Sequence, residues 1–140
     1  MNALIIIGTV IFVLYLIFRL VFVRNEPIVQ DAEISFKSKQ INSNPNNAEL
    51  YCKRGFKLLQ RGGNYMINGD SENANLSYQN AMNDFEKAIE LDPQMGEAYC
   101  YKGMIQWARN DNVNARFTLL KSEELGYKRA TEIMIDYGMR

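Results

Sequence analysis

The chain contains no histidine. That removes histidine acid–base catalysis, Ser–His and Cys–His nucleophile pairs, and any histidine-ligated metal site. It also has no charge imbalance. Lys plus Arg total 16 and Asp plus Glu total 16, so no net field draws the protein to nucleic acid. Cysteine is scarce. Cys52 and Cys100 lie 100 − 52 = 48 residues apart with no CxxC, which argues against a disulfide framework and reads as two small apolar side chains. No phosphate-cradling glycine loop is present, and Asp70, Ser71 and Glu72 lack the ligand spacing of a calcium loop. No cofactor, metal or small-molecule substrate is implied. Asp84, Glu86 and Glu90 are expected to be solvated carboxylates on a helix surface rather than catalytic acids.

What is present begins with an apolar stretch. Ala3 to Val23 carries one charge, Arg19. A helix of about 20 apolar residues spans a hydrocarbon core of about 30 Å, and Arg19 lies near enough to the end to reach the headgroups. A cleaved signal is disfavoured because no basic residue precedes the run and no small-x-small site follows it. Residues 1–24 are therefore expected to form a single-pass anchor in the lipid bilayer. Arg19, Arg24, Lys37 and Lys39 follow its far side, so the positive-inside rule puts the amino terminus outside. The remaining 140 − 23 = 117 residues would then be cytoplasmic, where two unpaired cysteines also fit.

Asn25-Glu26-Pro27 interrupts the apolar run and suits a helix start. Ile28, Val29, Ala32 and Phe36 then recur at helical spacing. Residues 25–44 are expected to be a linker helix, ended by Asn42-Ser43-Asn44-Pro45.

Beyond it, one phrase is written twice. Residues 48–56 read AELYCKRGF and residues 96–104 read GEAYCYKGM, each three residues after a proline, Pro45 and Pro93. Recurrence with its punctuation marks a repeat protein whose units bury their apolar faces on one another. Tyr78, Ala81, Met82, Phe85, Ala88 and Ile89 form an amphipathic stripe in the run that follows the first copy.

These residues resemble the tetratricopeptide repeat (TPR) family, a helix-turn-helix unit of about 34 residues. In the first copy the pattern falls on Tyr51, Gly55 and Leu58, then on Ala81, Phe85, Ala88 and Pro93. In the second it falls on Tyr99, Gly103 and Gln106, then on Ala115, Leu119 and Ser122, with Gly126-Tyr127 in place of the final Asp-Pro. The resemblance implies an all-α fold in which two repeats occupy residues 45–126. The spacing of 48 residues exceeds the family period by about 14. The surplus is rich in Gly, Asn, Asp and Ser, and is expected to be a loop at about 63–77, with Tyr65, Met66 and Ile67 as an apolar contact inside it. Residues 127–140 are expected to form a capping helix with Tyr127, Ala130, Ile133, Met134 and Tyr137 on one face. Two repeats fall short of the usual three, so flanking helices or a partner must complete the core.

In the family, the concave surface is lined by the first helix of each repeat. The resemblance implies a groove of Glu49, Cys52, Phe56, Leu59 and Gln60 with Glu97, Cys100, Met104, Trp107 and Ala108. Its apolar middle and acidic edge suit an amphipathic helix or extended peptide that carries basic residues. The basic clamp for chaperone tails is lacking. The expected function is a membrane-anchored scaffold or adaptor that binds protein and does no catalysis. The alternatives are a structural accessory subunit of a membrane complex, and a targeting-signal receptor that resembles the mitochondrial import type in architecture.

Overall fold

The structure is a computed structural model and describes residues 11–14 and 30–139. The chain divides into two compact units, Met1–Glu33 and Ile34–Arg140. In the first unit, residues 11–14 are helical and Ile11, Phe12, Val13 and Leu14 are each more than half exposed. Most of Ala3–Val23, the linker start at Asn25-Glu26-Pro27, and Arg19 and Arg24 lie outside the described residues.

Among the described residues, no helix is long and apolar enough to cross a membrane. The two with the length for it, of 20 and 21 residues, each carry a charged face. This finding stands against the expected single-pass anchor, of whose own stretch only residues 11–14 are described. The expected topology and cytoplasmic placement rested on that anchor and lose that support.

The second unit is all-helical, with no strand among its described residues. Helix α1 spans 30–43, and its residues 34–43 belong to this unit. It is followed by α2 (Ala48–Ile67), α3 (Ser71–Leu91), α4 (Gly96–Ala108), α5 (Asn112–Glu124) and α6 (Arg129–Asp136). Short polar side chains start three of them. Asn47, Asp70 and Asp111 accept hydrogen bonds from the backbone N–H groups of Leu50, Asn73 and Asn114, satisfying donors that have no partner inside the helix. Gly126, at φ +83°, turns the chain after α5, a conformation that glycine adopts without steric cost.

The helices pair in antiparallel hairpins. A Cβ on Gly55 would lie 2.7 Å from Phe85 Cε1, and one on Gly62 would lie 2.5 Å from Tyr78 Cε1. Contact thus moves up α2 as it moves down α3. In the second hairpin Gly103 faces Leu119, at 2.7 Å from its Cγ, and Gly96 faces the Ser122 carbonyl. The same position in each copy brings the backbones together. Phe85 and Leu119, the large partners of Gly55 and Gly103, are fully buried.

The expected loop at about 63–77 is corrected here. Residues 63–67 continue α2, residues 71–77 open α3, and only 68–70 turn between them. The surplus residues lengthen both helices because Gly62, Ala74, Ser77 and Tyr78 are buried between them. Polar composition signalled a loop, but burial of one face overrides weak helix propensity. Tyr65 packs against the core, while Met66 and Ile67 are exposed on the last turn of α2.

Two clusters form the core. The first gathers Leu58, Tyr78, Phe85, Ala98, Tyr101 and Ile105, with Ile34 of α1 against it. Tyr101 joins the hairpins, since its ring lies 4.7 Å from that of Phe56 and 5.6 Å from that of Phe85. The second cluster sets Ala130, Ile133 and Met134 of α6 on Cys100 and Leu119.

Candidate functional site

The ten groove positions divide on folding. Five come from α2 and five from α4. Cys52 and Cys100 are buried, so neither reaches a ligand. Burial pushes the Cys52 thiol up to about 12, with Glu97 and Glu49 adding to the effect. Cys100 is pushed up to about 11, again chiefly by burial. Both stay protonated at neutral pH and so lack thiolate reactivity. Phe56, Leu59 and Met104 are half-buried at the core's edge. Glu49, Gln60, Glu97 and Ala108 are exposed.

The acidic edge is a real grouping of charges. Glu49 and Glu97 both act on Cys52, and both act on Lys53. The Lys53 ammonium lies 2.5 Å from Glu49 and lowers the Glu49 carboxyl below its ordinary value, through a hydrogen bond first and charge second. Glu97 accepts a hydrogen bond from the Tyr101 hydroxyl at 3.0 Å. Three charges therefore meet where α2 and α4 begin, and two of them are negative.

Trp107 packs on the last segment of the chain. Its ring stacks on Tyr137 at 4.7 Å between centroids and 7° between planes. Trp107 and Tyr137 line an open cavity of about 640 Å³ with Asn112, Val113, Arg116, Phe117, Leu120, Gly138 and Met139. The sequence carried a signal for this cavity. Val113, Phe117 and Leu120 recur at helical spacing on the side of α5 opposite Ala115, Leu119 and Ser122.

Of the three carboxylates expected on a helix surface, Asp84 is the exception, and it is corrected here. It is buried, and Arg54 holds it by two bonds, Nε to Oδ2 at 2.8 Å and Nη2 to Oδ1 at 2.6 Å. Arg54 also donates to Ser38 Oγ at 3.1 Å, tying α1 to the first hairpin. Asp84 falls in register with Ser77, Ala81 and Ala88 on the inward face of α3, which the apolar stripe alone did not reveal. Glu86 and Glu90 are exposed and pair with Lys102 and Lys87. Ser122, which stands where the first copy has Ala88, donates a buried 2.6 Å hydrogen bond to the Gly96 carbonyl. Among the described residues, no group of three or more His, Cys, Asp or Glu side chains could hold a metal ion.

No protein-family model matches the chain, and no curated protein matches it.

Proposed function

We propose that the chain is a TPR-like scaffold that binds a protein segment and does no catalysis. The observation that carries this reading is the duplicated hairpin. Gly55 against Phe85 and Gly103 against Leu119 use the same position for the same close approach. That duplication sets the inner faces of α2 and α4 in the same register. Phe56, Leu59 and Met104 form its apolar floor, and Glu49 and Glu97 its acidic edge. The partner is an amphipathic helix or extended peptide with basic residues beside its apolar face.

The test is titration of the full chain with a lysine-bearing amphipathic peptide. Phe56→Ala with Met104→Ala should weaken binding by roughly a hundredfold, as expected when two anchors are truncated. Glu97→Gln should weaken it less and reduce its salt dependence. Binding that the double variant leaves unchanged would exclude this surface.

A further inference from the structure

Val113 and Phe117 are each 68% exposed on the outer face of α5. The two hairpins supply an internal reference for that face. Ala81, Phe85 and Ala88 of α3 correspond to Ala115, Leu119 and Ser122 of α5. In the same register, Gln79, Asn83 and Glu86 correspond to Val113, Phe117 and Leu120. On α3 that face is polar, and two of its residues meet side chains of α4 and the turn after it. Gln79 accepts from Arg109 at 3.3 Å, and Glu86 pairs with Lys102 at 2.9 Å. On α5 the equivalent face is apolar and lines the cavity with Trp107, Tyr137 and Met139. The last unit of a stacked array ordinarily presents a polar outer face. Here the polar face belongs to the first hairpin and the apolar one to the last.

The geometry points to a second docking site on this end, one that takes a short amphipathic segment carrying a carboxylate. Arg116 selects the charge. It is the only charged residue among the described residues lining the cavity, and it makes no ion pair among them. Val113, Phe117 and Leu120 stand at i, i+4 and i+7, the spacing that meets a helix laid alongside. The cavity falls within the roughly 300–1,000 Å³ of ligand pockets. A second copy of the chain fits less well. The apolar lining of the cavity is a small fraction of the roughly 800 Å² per partner of a stable interface. A two-fold pairing of α5 with itself would also set Arg116 against Arg116. Phe56, Leu59 and Met104 are not among the residues lining this site, and its charge preference is opposite to that of the surface they form.

Trp107 is the only tryptophan in the chain, so its fluorescence reports occupancy of the cavity. The full chain is titrated with two synthetic peptides of about four helical turns. They share a leucine face, and one is flanked by glutamates, the other by lysines. The glutamate peptide should shift Trp107 emission saturably and bind at least about tenfold more tightly than the lysine peptide. Arg116→Glu should reverse that order. Phe117→Asn, which copies the first hairpin at an exposed position, should abolish the response, whereas Phe56→Ala should leave it intact. A flat titration with both peptides, or an order that Arg116→Glu leaves unchanged, overturns the assignment. So does sedimentation showing a dimer that Phe117→Asn dissociates, because the occupant would then be a second copy.

Discussion

Gly62 and Gly63 are neighbours in the same helix with opposite surroundings, and replacing each by alanine tests the long hairpin directly. Nothing lies within 4 Å of a Cβ on Gly63, so Gly63→Ala should gain the full difference in helix propensity, about 0.8–1.0 kcal/mol. A Cβ on Gly62 would sit 2.5, 2.6 and 3.2 Å from Tyr78 Cε1, Cδ1 and Cζ. Carbon atoms pack at about 3.5–4.0 Å, so the ring must retreat by about 1 Å. Tyr78 is buried in the first core cluster, where overpacking costs about 1–3 kcal/mol. After the propensity gain, Gly62→Ala should still destabilise, by about 1 kcal/mol. The two variants should therefore differ by about 2 kcal/mol. Urea unfolding of the full chain, followed by circular dichroism, measures this as midpoints displaced in opposite directions at equal slope. Equal shifts in the same direction would refute the close approach of α2 and α3 at this point. A neutral Gly63→Ala would return residues 63–77 to a loop.

The buried ion pair predicts an asymmetry. Arg54→Met leaves the Asp84 carboxylate buried without a counter-charge and should cost about 3–5 kcal/mol. Asp84→Asn should cost less, because the Arg54 side chain keeps 23% exposure and can turn toward water. Equal losses in denaturant unfolding would contradict that account. The cysteines predict a loss of stability in alkali. Their folded values, about 12 for Cys52 and about 11 for Cys100, stand above the ordinary 9.0, so the folded chain holds protons that the unfolded chain releases. That stability is complete below pH 9 and is lost as pH rises through the folded values, at about 1.4 kcal/mol per pH unit for each thiol. Cys52→Ala should flatten the decline between pH 9 and 11, and an unaltered slope would show that other groups cause it.

The repeated phrase made much of the hairpin core legible in advance. Gly55, Gly103, Phe85 and Leu119 fall on the repeat pattern, and each lies at a helix–helix contact. Position-by-position carry-over served the groove less well. It placed Cys52 and Cys100 on the surface, but both are buried, and it placed Trp107 beside Met104, although Tyr137 of the last segment holds its ring. Asp84 was read from its polarity, and only the approach of Arg54 from 30 residues away showed why a carboxylate could be buried there.

By itself, the sequence determined the helical class, the register of the two hairpins and the positions where backbones must approach. Each follows from local spacing, since a glycine or an apolar residue recurring at helical intervals needs no distant partner to be recognised. The tertiary structure decided what spacing cannot express. It turned the polar surplus into longer helices, closed Trp107 onto Tyr137, and exposed an apolar face at the end of the stack. Those outcomes depend on which surfaces meet, and two faces of one helix become different only when something packs against one of them.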